Sequence, residues 1–244
     1  MSLMDRNWVI REDRENDACQ RAAQSLYSMW YSWLEAKRRK ESVVKSIGRD
    51  VLVRLAKEKS EESADLTRAF VDAIADAVAE VVQQLAQRLV AGGKLLLFGN
   101  GGSAADAQHI AAEFVNRLSI EHPALPAIAL TTDTSVLTSI ANDRSFEEVF
   151  SRQIEALGRE GDAAWGISTS GRSPNVLRAL SVAKAKRMMT IFSTGEGGKG
   201  APVDVDFLFA VPHRYSPRVQ ESHIVLAHVI CELVEKILSG AKNG

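Results

Sequence analysis

Cysteine is scarce: the 244-residue chain holds two, Cys19 and Cys231. Two cysteines cannot build a disulfide framework, and such sparing use fits a reducing cytoplasm. No apolar run approaches the roughly 20 residues of a membrane span, and the first residues lack a signal-peptide core, so a cytoplasmic chain without a membrane span is expected. No sign of charge is in excess, since Lys+Arg is 30 and Asp+Glu is 31, a formal net charge of −1. That balance argues against nucleic acid as a partner, because counterion release needs a net basic footprint. Neither glycine-rich turn is followed by Lys-Ser or Lys-Thr, which excludes a nucleoside-triphosphate P-loop. What is present is ordinary for a globular protein, with 45% hydrophobic and 25% charged residues. A chain this long buries a full core without disulfides or a structural metal.

Residues 1–60 are charged and hold three of the four tryptophans, Trp8, Trp30 and Trp33. We read them as an N-terminal helical extension and 61–244 as the main domain. Leu26, Met29, Trp30, Trp33 and Leu34 recur at helical spacing before the basic run Lys37-Arg38-Arg39-Lys40. Such a stripe must be covered. We expect it to pack on the helical layer or a neighbouring subunit, with a membrane-surface or partner-binding helix as the alternative. From Leu66 to Leu89, apolar residues recur at spacings of three and four, which predicts one helix over 61–91 that Gly92 and Gly93 stop. Five apolar runs then read as strands: Leu95–Phe98, Ala127–Leu130, Ala163–Ile167, Met189–Phe192 and Val205–Val211. Helical patterns occupy 104–118, 135–157, 175–187 and 218–238. This alternation predicts an α/β fold, a three-layer αβα sandwich around a five-stranded parallel sheet. With the flavodoxin-like strand order 2-1-3-4-5, the ligand crevice lies at the carboxyl ends of strands 1 and 3.

The residues after those two strands carry chemistry. Gly99-Asn100-Gly101-Gly102-Ser103 turns from a strand into a helix. Glycines let amides approach an anion there, yet any tight strand-to-helix turn favours glycine, and both readings stand. Ser168-Thr169-Ser170-Gly171-Arg172-Ser173 gathers four hydroxyls at a second helix start. A capping role accounts for Ser173 before Pro174, but four hydroxyls at a crevice favour phosphate. His109 and Glu113 are four apart and share a helix face, as a metal-ligand or acid/base pair requires and as a solvated polar pair also does. Gln220 and His228 are eight apart in the last helix, and their spacing alone points to a solvated face. His213 and His223 have no partner at a meaningful spacing and are read as surface or interface residues. His122 is read as loop, and Cys231 as core.

Taken together, Gly99-Asn100-Gly101-Gly102-Ser103, Asp106-Ala107-Gln108-His109, Ala141-Asn142-Asp143, Ile167-Ser168-Thr169-Ser170-Gly171 and Arg218-Val219-Gln220-Glu221-Ser222-His223 closely resemble the phosphoheptose isomerases of the sugar-isomerase (SIS) fold. The resemblance covers roughly residues 50–238 and leaves 1–47 unexplained. It implies an aldose–ketose isomerase that converts sedoheptulose 7-phosphate to D-glycero-D-manno-heptose 7-phosphate through an enediol(ate), a homotetramer, and a bacterial heptose pathway feeding lipopolysaccharide or another surface glycan. It further implies zinc held by His109, Glu113, Gln220 and His228, with Glu113 and His228 as the acid/base pair. Phosphate is then expected on Ser168, Thr169, Ser170 and Ser173. The remaining polar positions of the pocket are expected to be Asn100, Gly101, Gly102, Ser103, Arg117, Asn142 and Asp143. Arg172 stands where the family often has a small amide. One alternative is a non-catalytic SIS protein that binds sugar phosphates or regulates replication initiation, against which the presence of both Glu113 and His228 weighs. Another is a dinucleotide enzyme using the first glycine loop, for which Asp133 is only loosely placed as the acidic partner.

Overall fold

A computed structural model of the chain describes residues 24–26, 28–36 and 47–240. Cys19, Trp8 and the Lys37–Lys40 run lie outside the described residues. Backbone contacts divide the chain between Lys59 and Ser60. In the first unit, the described residues 24–26 and 28–36 are helical, and Leu26, Met29, Trp30 and Trp33 are exposed.

The division falls inside helix α1 (Arg49–Val90). Its later turns bury Phe70, Val78, Val81, Val82, Leu85 and Leu89, the stripe that the periodicity predicts. The helix ends as the two glycines require. Gly92 has φ 87°, its N–H donates to Leu89 O, and the Gly93 N–H donates to Arg88 O. This is a Schellman closure, which only glycine adopts without strain.

The rest of the second unit alternates strand and helix. β1 (Leu95–Gly99), β2 (Ala127–Ala129), β3 (Ala163–Ser168), β4 (Met189–Gly195) and β5 (Phe207–Val211) form one parallel sheet in the order β2-β1-β3-β4-β5. The expected order is therefore the observed one. Between and after the strands lie α2 (Gly102–Val115), α3 (Thr134–Asp143), α4 (Ser151–Leu157), α5 (Pro174–Ala185) and α6 (Ser216–Leu238). Strand residues alternate between two cores. Leu95, Leu97, Trp165 and Ile167 pack with α1, α2 and α6, whereas Leu96, Phe98, Ala164 and Phe192 pack with α4 and α5. Both faces of the central strands are thus covered, which is why those strands read as continuous apolar runs.

One predicted helix is corrected. The stretch 135–157 is not continuous: α3 ends at Asp143, Ser145 is extended, and a short turn over Phe146–Glu148 precedes α4. Asn142 and Asp143 bond to each other at the break. Short polar side chains of this kind compete with helical backbone bonds. Among the described residues, no helix is long and apolar enough to cross a membrane.

Candidate active site

The chain reverses direction across the sheet between β1 and β3, so their carboxyl ends open a crevice there. Two loops meet at that edge. After β1, Gly101 takes φ 56° and α2 begins at Gly102. A Cβ on Gly102 would lie 2.1 Å from Gln220 Nε2, so the amide of Gln220 occupies the space that a side chain would fill. That amide is the far end of a flexible side chain and can swing aside, so the position at which this turn itself demands glycine is Gly101, by its positive φ. Ser103 is buried, and its N–H donates to Asn100 O. Asn100 exchanges two hydrogen bonds with Asn175, of 2.9 and 3.0 Å, while Asn175 Oδ1 also accepts from Val176 N. That amide pair locks the β1 loop to the start of α5. Asn175 is buried and was not singled out in the sequence.

After β3, the hydroxyls converge on one another. Ser168 Oγ lies 2.9 Å from Ser173 Oγ and 3.5 Å from Ser170 Oγ, and Ser170 Oγ accepts from Arg172 N at 3.2 Å. Thr169 Oγ1 donates to Ser216 Oγ at 3.2 Å. Ser173 occupies the N-cap position of α5, yet its hydroxyl makes no capping bond and turns to Ser168 instead. The capping role proposed for its side chain is thus not the one it plays. Gly171 holds φ 67°, and a Cβ there would fall 2.2 Å from Gly198 Cα, so this turn also needs glycine. A cavity of about 460 Å³ is lined by Thr169, Ser170, Arg172, Glu196, Arg214 and Ser216.

A third cluster joins α2 to α6. His109 Nε2 lies 3.1 Å from Glu113 Oε1 and 3.2 Å from His228 Nε2. Ligand atoms of His109, Glu113 and His228 all lie within 4.8 Å of one another. Donors about 2.0–2.1 Å from a tetrahedral zinc ion stand about 3.3–3.4 Å apart, close to these spacings, and two imidazoles with a carboxylate are a zinc-type donor set. One turn before His109, Asp106 Oδ2 is buried without a hydrogen-bond partner. Burial pushes the Asp106 carboxyl above its ordinary value, with His109 opposing. The orphaned oxygen and the donor set fit a cation.

Other expected site residues are less directly engaged. Arg117 is exposed and bonds Glu121, and Asn142 donates to Asp143 Oδ1 at 2.8 Å. Among the described residues, none of these bonds reaches the cluster or the hydroxyl loop. His223 is a correction, for it is 3% exposed in the core and bonds Thr194 O at 3.1 Å. Its place follows from the buried stripe of Val219, Leu226 and Ile230 on the same helix. Cys231 is core, as expected, and burial raises its thiol.

Burial holds His223 down at about 4 from 6.5, with the bond to Thr194 opposing. Between those values the unfolded chain takes up a proton that the folded chain refuses, so stability falls as pH drops from about 6.5 toward 4. The melting temperature at pH 5 is therefore expected below that at pH 7, and His223→Gln should shrink the difference. An equal drop in the variant would assign the acid sensitivity to other groups.

The SIS domain family matches residues 60–195. A phosphoheptose isomerase from Thermodesulfovibrio yellowstonii is 57% identical over 147 residues, 60% of this chain and 73% of that relative. One from a Roseiflexus species is 50% identical over 190 residues, 78% of this chain and 96% of that relative. The solved phosphoheptose isomerase of Neisseria gonorrhoeae is 43% identical and matches with a TM-score of 0.69, over 76% of this chain and 99% of that one. The crevice, the sheet order and these likenesses agree: the chain is an isomerase and belongs to the phosphoheptose isomerase family of SIS-domain proteins.

Proposed function

We propose that the protein interconverts sedoheptulose 7-phosphate and D-glycero-D-manno-heptose 7-phosphate, the entry step of a bacterial heptose pathway. The observation that carries this reading is the meeting of Glu113 and His228 at His109, on a helix that starts from β1 next to the strand whose end carries the hydroxyl-lined loop. Aldose–ketose exchange needs a base for the proton on the carbon next to the carbonyl, and a group that shuttles the hydroxyl protons. Glu113, an acceptor when ionised, serves the carbon. His228, whose ring nitrogens exchange roles, serves the oxygens or opens the ring. The hydroxyls of Ser168, Thr169, Ser170 and Ser173 hold the phosphate, and the Asn100–Asn175 pair keeps the two loops in register for it.

Zinc is the metal the cluster suits, with His109, Glu113 and His228 to hold it and Gln220 as the expected fourth ligand. Bound there, it would polarise the substrate's carbonyl and stabilise negative charge on its oxygen. A homotetramer in the cytoplasm, supplying lipopolysaccharide or another surface glycan, completes the reading and rests on the family resemblance. Incubation with sedoheptulose 7-phosphate should yield an aldoheptose phosphate detectable by chromatography. Failure of the zinc-loaded protein to do so, with turnover of a shorter ketose phosphate instead, would reassign the substrate.

A further inference from the structure

We propose that Glu235 is a positioning residue that fixes the register of α6 on α2 and so brings His228 to His109 and Glu113. The proposal rests on the reading of those three residues as the reaction centre.

Glu235 follows His228 by seven residues, two turns along the same face of α6, and is 2% exposed. Its carboxylate accepts three successive backbone N–H groups from the segment that follows α2: Leu118 at 2.5 Å, Ser119 at 3.0 Å and Ile120 at 3.1 Å. The Ser119 hydroxyl adds a fourth bond of 3.0 Å. His122, whose side chain is 1% exposed, places Nε2 3.1 Å from Glu235 Oε1 and Nδ1 2.7 Å from Pro123 O. Burial alone would raise the Glu235 carboxyl, but the amides and the hydroxyl outweigh it and hold the group below its ordinary value. A carboxylate taken out of water is costly unless its lone pairs are filled, and here they are.

An apolar side chain would pack α6 on the core without that cost. Ile110, Phe114, Ala227, Ile230 and Val234 already join α2 and α6 in one apolar cluster. Such contacts are non-directional and leave sliding along the helix axis weakly opposed. A carboxylate seated in three consecutive amides is directional. It pins the end of α2 to α6 on the far side of Glu113 from His109. One residue of slip moves a helix by about 1.5 Å, whereas a working constellation tolerates about 0.5 Å. The clamp therefore matters most for the contact between His109 and His228, which are 119 positions apart in the chain. Among the described residues, the hydrogen bonds of Glu235 go to Leu118, Ser119, Ile120 and His122 and none to the hydroxyl loop.

Glu235→Gln keeps the size but turns one oxygen into an NH₂ that faces amide donors. Full-length wild-type and E235Q proteins are compared by zinc competition with a chromophoric chelator, by binding of inorganic phosphate, and by kcat and KM for sedoheptulose 7-phosphate. Zinc affinity and kcat should each fall about 10- to 100-fold, as with other groups that orient ligands from behind, while phosphate affinity and KM stay within about twofold. Should E235Q not fold, His122→Gln removes one partner and leaves the amides in place, and should show a smaller loss with the same split. Unchanged zinc affinity and kcat would overturn the proposal, as would a parallel loss of phosphate binding, the mark of general loosening. The two readings fail separately. A wild-type protein that binds no zinc refutes the metal assignment, and the kcat-against-KM split still decides Glu235. A wild-type protein inactive on this sugar refutes the substrate, and the zinc and phosphate titrations decide it.

Discussion

Glu113→Gln is expected to lower kcat by about 10²–10⁴-fold while leaving the fold and phosphate binding intact, because a positioned acid/base group supplies rate on that scale. Gln has the shape of Glu but cannot take a proton from carbon. Its amide can still bond His109, which Glu113 Oε1 now approaches to 3.1 Å, so the packing of α2 should survive. His228→Asn should produce a loss of the same order for a different reason, since it removes the group that serves the hydroxyl protons. Exchange separates the two. In D₂O the Glu113→Gln protein should fail to wash out the carbon-bound proton, whereas the His228→Asn protein should still exchange it. The double variant should be little worse than either single one, as groups acting as a unit are strongly non-additive. Near-normal turnover in both single variants would remove these residues from the chemistry.

The sheet was legible because its signals are local. Each central strand is a run of apolar residues bounded by glycine or polar turn residues, and burial on both faces is what such a run means. The crevice follows from topology alone, which puts both candidate loops at the ends of β1 and β3. His109 and Glu113 were legible as a pair since the i,i+4 relation is a property of one helix. Their meeting with His228 was not. It depends on how α2 and α6 cross, and the spacing of Gln220 and His228 carries no trace of that.

The misses share a cause, namely polar residues that sit in the apolar phase of a helix. His223 lies in line with Val219 and Ile230, and Glu235 in line with Cys231, all buried. A charged residue in a helix usually means solvent, and Glu232, ion-paired with Lys236 on the outside, obeys that rule. Phase was the usable signal: a Glu on the core-facing stripe needs buried donors, and the loop after α2 provides them. Asn175 was hidden differently, for a position just inside a helix start after proline reads as part of a cap. The break between α3 and α4 was hidden by Leu137, Ile140 and Ile154, whose spacing continues across it while the backbone does not.

Replacing Ser168, Ser170 and Ser173 with Ala is expected to raise KM by about tenfold to a hundredfold for each phosphate bond lost, with kcat little changed. Hydrogen bonds to a charged group are worth about 1.5–3 kcal/mol, which sets that range. Phosphate is bound alike in the ground state and the transition state, so its loss is uniform and appears in KM. The triple variant should fall short of the product of the singles, because Ser168 bonds both of the others at 2.9 and 3.5 Å. Stability should move little, and this is where the local geometry decides. A serine whose hydroxyl capped α5 would cost about 1 kcal/mol on removal. The Ser173 hydroxyl does not cap, and α5 is started by the Ser173 carbonyl, which accepts from Val176 N and Leu177 N and survives the substitution. Gly171, at φ 67°, keeps the turn in place whatever the neighbouring hydroxyls are. The check is a pair of measurements on each variant, steady-state kinetics and a melting curve. A collapsed kcat at unchanged KM would take phosphate away from this loop, and a large fall in melting temperature would show that the hydroxyls hold the fold rather than the substrate.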